Sequence, residues 1–277
     1  MSYIARKRLE VVTLCPYGVP PANPGVLVAV LLQTMKTQTQ SAFWTVDTFD
    51  EQTDIPRFAV DAYKEVLPYV ADFLCAPHPH RAGPVCPFVP PALKHHRIFF
   101  TACSDGDTAQ SNAAHIEQCI EFYLRQKVST RSLGAIVILF PKEYNIGTLL
   151  ELHRENKEQC VRHSLMLGAL YPTSQAPSVH SEHFFPLRTP TPTLVIRDMV
   201  VSDLLFLDPK HYHLEKRVVF LESFIQTFHE YRNPLFQTEV QKAHTLLQCY
   251  QRRTYQRRML VGAIVAVTVM AVLFWLW

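Results

Sequence analysis

Between Ala76 and Arg97 the chain gathers His78, His80, Cys86, His95 and His96 among Pro77, Pro79, Pro84, Pro87, Pro90 and Pro91. Imidazole and thiolate are axial ligands for haem iron, and imidazole also suits zinc, copper and non-haem iron. Proline fixes φ and lowers the entropy lost on ordering, so such a loop can present a side chain rigidly. His78 is bracketed by Pro77 and Pro79, and its neutral imidazole can bind a metal without first losing a proton. A Cys86 thiolate would need donors nearby to lower its pKa, and Arg81 is the one fixed charge between Ala76 and Pro91. His78 is therefore the expected metal ligand, with Cys86 or His80 as substitutes. The same residues also read as a solvated proline-rich loop with one buried cysteine.

Other clusters carry less. His153, Cys160 and His163 fall near one face of an expected helix, His180 and His183 are three apart, and His211 and His213 flank Tyr212. Each has metal-like spacing, and each is also what a solvated surface offers. Cys15-Pro16 says little in isolation. Arg197 and Asp198 at the end of an expected strand could orient a polar ligand or form a structural ion pair.

The elements that must position these residues alternate in type. Phe58 to Cys75 has helical spacing, with Pro68 kinking or dividing it. Arg97 to Cys103 and Leu133 to Phe140 read as strands, the second wholly apolar as a buried strand should be. Asp105-Gly106-Asp107 makes a turn into a helix over Ala109 to Gln126. A long helix is predicted from Asn145 to Leu170, then a loop over 171–192 and a strand from Thr193 to Arg197. Helices follow over His213 to Tyr231 and from Asn233 onward. Val26 to Leu32 is a short apolar run of either type. Strands alternating with helices predict an α/β or α+β sandwich on a small sheet, with a C-terminal single-pass transmembrane helix. The domain plan is an N-terminal arm over 1–40, a globular domain over 41–232, a helical stalk with a basic flank over 233–258, and a tail anchor over 259–277.

The anchor rests on Met259 to Trp277, which holds no charged residue. At about 1.5 Å per residue it reaches about 28 Å, close to the hydrocarbon thickness of a bilayer. Arg252, Arg253, Arg257 and Arg258 precede it, so the soluble domain is expected on the cytoplasmic side, with membrane insertion following translation. Gly262 and Ala266 form a small-x-x-x-small pair that could bring two such helices together as a homo-oligomer. Without those four arginines the chain has 23 basic residues against 24 acidic ones, so its soluble part has no basic field to attract nucleic acid. Seven scattered cysteines with no C-x-x-C pair are neither a disulfide framework nor a zinc ribbon, in keeping with a reducing compartment. With 20 prolines and 8 glycines, the chain has no glycine-rich nucleotide loop, no Gly-x-Ser-x-Gly and no His-Glu-x-x-His.

Asp72-Phe73-Leu74, Pro77-His78-Pro79 and Arg81 to Pro90 (RAGPVCPFVP), with Ile196, Arg197, Met199, Val200 and Asp203 later, resemble an uncharacterised bacterial domain family over roughly residues 55–235. More distantly, an apolar helix followed by a Cys-Pro loop and a Phe-rich strand is similar to the YqcI/YcgG group. Val85-Cys86-Pro87 replaces that group's usual Phe-Pro-Cys order. The resemblance implies a haem-dependent oxidase that N-hydroxylates a small guanidino or amino substrate. His78, Cys86 and His80 would then be the haem-binding residues, and Arg197 and Asp203 the catalytic or pocket residues. Noncatalytic readings stand beside it: a membrane-tethered ligand sensor, an effector or a scaffold.

Overall fold

A computed structural model describes residues 42–103, 108–127 and 133–275. The expected arm, the Val26 to Leu32 run and the Asp105–Asp107 turn lie outside the described residues.

Four strands form one mixed sheet: β1 (Ile98–Ala102), β2 (Ala135–Leu139), β3 (Leu165–Leu170) and β4 (Thr193–Asp198), in the order β1-β2-β4-β3. β1 and β2 are parallel, joined through helix α3 (Ala109–Lys127), while β4 runs antiparallel to both β2 and β3. Side chains alternate across a strand, so each strand feeds two cores. Ile136, Ile138, Leu194, Ile196, Leu165 and Leu167 pack with Ile116, Ile120 and Tyr123 of α3 and with Leu149 and Leu152 of α4 (Ile146–Arg162). Val137, Leu139 and Phe100 face the other way, onto Ala59, Tyr63 and Val66 of α1 (Arg57–Pro68), Ala92 of α2 (Val89–Lys94), and Trp44. The sandwich on a small sheet that the sequence predicts is the observed fold.

One predicted helix is two elements. The helix expected from Asn145 to Leu170 ends at Arg162, His163 closes it, and Ser164 takes a left-handed φ of 58°. Leu165–Leu170 then returns as the edge strand β3. Its run LMLGAL is apolar at every position, so period could not separate it from a continuing helix.

Pro68 lies inside α1 and lacks the N–H that would continue the helical ladder. The chain widens there into a π-turn over Tyr69–Phe73, closed by Leu74 N donating to Tyr69 O at 3.0 Å. Such turns are frequent at functional sites.

A third core joins Met166 and Met199 to α5 (Leu214–Phe228) and to α6 (Pro234–Trp275). α6 contributes Ala243, Leu247 and Tyr250 to that core, so the stretch expected to be a stalk packs on the domain as far as Tyr250. Beyond Tyr250 the same helix continues into the apolar run. It is long and apolar enough to cross a membrane, with none of its apolar window buried in the protein.

Candidate functional site

The first loop folds back on itself as a tight flap. His78 N donates to Gly83 O at 2.8 Å, Val85 N to Ala76 O at 2.8 Å, and Cys86 N to Leu74 O at 2.9 Å. Gly83 makes the turn at φ +87°, a backbone that side chains with a Cβ avoid. Arg81 caps the return strand, its Nη2 donating to Pro84 O at 2.6 Å and to Val85 O at 3.0 Å.

The second loop, over 171–192, crosses that flap. Ser178 N donates to Phe184 O at 2.7 Å, and the Ser178 and Ser181 hydroxyls accept from His180 N and His183 N in short local turns. Tyr69 of the π-turn ties it down by donating its hydroxyl to Pro186 O at 2.6 Å.

His78 sits at the crossing, 7% exposed. Its Nδ1 accepts from His80 N at 3.0 Å, and its Nε2 lies 3.3 Å from Ser178 Oγ. A ring nitrogen that accepts from an amide is unprotonated, so in the neutral ring the proton is on Nε2 and is donated to Ser178. Burial, with the charges of Arg81, His180 and His80 nearby, lowers the pKa of His78 and favours that neutral form. Phe184 is the hub of the surrounding rings: its centroid is 4.9 Å from His78, 6.1 Å from His80 and 6.0 Å from Phe73. His180 stands 5.5 Å from His78. His78, His80 and His180, on two distant loops, thus share one cluster.

Next to it, between the π-turn and the second loop, runs a groove of about 700 Å³, within the range of small-molecule sites. Glu65, Tyr69, Asp72 and Phe73 line one side, Arg188 and Thr189 the other. Glu65 is engaged: Lys142 Nζ donates to it at 2.8 Å and Thr191 Oγ1 at 3.1 Å, and the Lys142 hydrogen bond lowers its pKa. Asp72 is exposed and has no ion-pair partner among the described residues. Arg188 donates Nε to Ser174 O at 2.8 Å and stacks its guanidinium 4.0 Å from the Phe185 ring centre.

Residues 63–237 match the sequence pattern of a protein family described as Domain of unknown function (DUF6875), which covers more than half of the chain. The chain belongs to that family. No curated protein and no solved structure matches it.

Of the residues the sequence singled out in this DUF6875 domain, His78 has both ring nitrogens engaged, so as arranged it holds no free lone pair for iron. It does not fit the role of axial ligand. His80 is exposed and Cys86 half-buried. Among the described residues no three His, Cys, Asp or Glu side chains are placed to share a metal ion. Arg197 and Asp203 meet each other: Nη1 and Nη2 donate to the two carboxylate oxygens at 2.7 Å each, and Val200 N donates to Asp203 at 2.8 Å. Burial opposes the Arg197 charge, but the hydrogen bonds and charge of Asp203, with Cys86 and Asp198 nearby, raise its pKa overall. The two motifs of the family resemblance, around Cys86 and around Arg197, are therefore electrostatic neighbours.

The remaining clusters separate. His153 donates Nε2 to Leu167 O at 3.0 Å, Cys160 is fully buried and its thiol is pushed up to about 12 by that burial, and His163 closes α4. Asp198 turns from Arg197 to accept from Tyr123 at 2.5 Å and Gly134 N at 3.0 Å, with Lys127 at 2.7 Å. Sequence reasoning missed Lys157, which is buried against the rings of Tyr212 and Phe220 and donates to Phe206 O at 2.9 Å. Burial pushes its pKa down to about 8. A lysine inside an amphipathic helix gives no sign of that. Phe184 and Arg188 were also passed over, and Asp72 was quoted only within the family motif, because their significance comes from the crossing of two loops.

Proposed function

We propose that this DUF6875 chain is a membrane-tethered module that binds a small zwitterion carrying an amino or guanidino group. The observation that carries the reading is the groove itself, with the unpaired Asp72 carboxylate on one side and the Arg188 guanidinium on the other. An ammonium or guanidinium end would meet Asp72 and the face of Phe73, an arrangement that favours cations. A carboxylate end would take charge-assisted hydrogen bonds from Arg188, whose two terminal nitrogens have no hydrogen-bond partner among the described residues. The flap and second loop, pinned by His78, Arg81 and Tyr69, hold that frame stiff and lower the cost of ordering it around a ligand.

The apolar half of α6 tethers the module to a bilayer. Arg252, Arg253, Arg257 and Arg258 support a cytoplasmic position for the domain, by the positive-inside rule. No catalytic step is assigned: the histidine that resemblance offers to haem is committed to the loop crossing.

Calorimetric titration of the detergent-solubilised full chain with L-arginine and with agmatine, which lacks the carboxylate, tests the reading. L-arginine should bind more tightly than agmatine, and Asp72→Asn and Arg188→Gln should each weaken L-arginine on the order of tenfold or more, the worth of one charged hydrogen bond. Affinity indifferent to both substitutions, or no binding at all, refutes it.

A further inference from the structure

α6 is a single helix from the domain core to the apolar run, so the distance between domain and membrane is fixed by geometry. Its last core-packed residue is Tyr250, and Met259 opens the apolar run nine residues later, a rise of about 13 Å. The polar headgroup layer takes up roughly 5–7 Å of that on each side of the hydrocarbon. The domain surface level with Tyr250 therefore stands within a side chain's length of the lipid.

The residues on that surface can be named. α5 runs antiparallel to α6: Phe228, near the end of α5, packs its ring against Phe236, near the start of α6, at 5.8 Å between centroids, while Arg217, near the start of α5, meets Tyr250. The segment leading into α5 must then lie at the Tyr250 end. Its position is locked there, because Tyr250 donates its hydroxyl to Asp208 at 2.7 Å and Arg217 Nε donates to the same carboxylate at 2.6 Å. Just before Asp208 comes the 3₁₀ turn Val201–Phe206. Leu204 and Leu207 point into the core, while Leu205 and Phe206 are 68% and 49% exposed. The exposed Leu205 and Phe206 side chains lie side by side as a small apolar patch at this end. Lys210, Arg252 and Arg253 are exposed at the same end, and none has an ion-pair partner among the described residues. Glu215 is the exposed acid among them.

We propose that Leu205 and Phe206 rest in the headgroup layer of an anionic bilayer, with Lys210, Arg252 and Arg253 against its phosphates. The helix supplies one point of attachment and the Leu205–Phe206 turn a second, so the domain is held at one tilt and cannot swing on its anchor. Apolar side chains with neighbouring basic residues are what lipid surfaces recognise. This rests on the reading of α6 as a membrane anchor but not on what the groove binds.

Hydrogen exchange of the full chain tests it in three settings: detergent micelles, vesicles of phosphatidylcholine, and vesicles of phosphatidylcholine with phosphatidylserine. Amides 201–213 should exchange several-fold more slowly in the anionic vesicles than in micelles, with a smaller effect in neutral ones. The double variant Leu205→Glu, Phe206→Glu changes only exposed side chains and should lose the slowing while still floating with vesicles. Wild-type chain that floats but exchanges equally in all three settings overturns the second contact and leaves the anchor standing. A chain that fails to float overturns both this contact and the anchor.

Discussion

His78 and Ser178 share a 3.3 Å contact between imidazole Nε2 and hydroxyl Oγ across a hundred positions of sequence. Among the described residues it is the side-chain hydrogen bond that joins the first loop to the second, beside the groove, while Tyr69 ties the π-turn to the second loop at Pro186. Replacing His78 by Ala should cost about 1–2 kcal/mol and release the second loop. Limited proteolysis should find new cleavage between residues 176 and 188, and Ser178→Ala should show the same pattern more weakly. Unchanged cleavage in both variants would mean that the loops are held by other contacts.

If the imidazole is a structural pin, hemin should not displace it. Titrating the full chain with hemin should give no ligand-dependent Soret band beyond that of non-specific hemin. A sharp band that disappears in His78→Ala would restore the oxidase reading.

The pairing of Arg197 with Asp203 is a stability device before anything else. Asp203 is 1% exposed, and removing its charge leaves a largely buried guanidinium uncompensated. Breaking such pairs costs about 3–5 kcal/mol when both partners are buried. The Arg197 side chain keeps 35% exposure, so Asp203→Asn should cost less, about 2–3 kcal/mol. Chemical denaturation measures this. A variant as stable as wild type that has lost ligand binding would instead make Asp203 a site residue.

His153 gives the domain an acid limit. Burial, aided by Lys157, pushes its pKa from the ordinary 6.5 down to about 4. The unfolded chain takes up a proton at this position below about pH 6.5 and the folded chain does not. Stability is therefore untouched above that pH and falls as pH drops from 6.5 towards 4, by about 3 kcal/mol at most. Urea midpoints at pH 7 and pH 4.5 should differ less in His153→Leu than in wild type. An equal drop in both would assign the acid sensitivity elsewhere.

The fold was largely readable because its elements announce themselves locally. Leu133 to Phe140 could only be a buried strand, and the π-turn begins directly after Pro68, where the sequence allowed a kink. β3 was not readable, since LMLGAL is apolar on both faces and Ser164 is an unusual residue for a left-handed turn. The site was readable only in parts. Proline spacing picked out His78 and its neighbour His80, but Ser178 and Phe184, which hold it in place, lie in a second loop that reaches it through tertiary contact alone. Asp72 and Arg188 are ordinary surface charges until the π-turn and the second loop put them around one groove.

Hydrogen exchange of the full chain with and without saturating L-arginine tests the central claim most directly. Protection should appear over residues 65–76 and 172–190 and be clearly smaller in Asp72→Asn when ligand is held near the wild-type Kd. Protection centred instead on residues 197–206, or none despite bound ligand, would contradict the proposed groove.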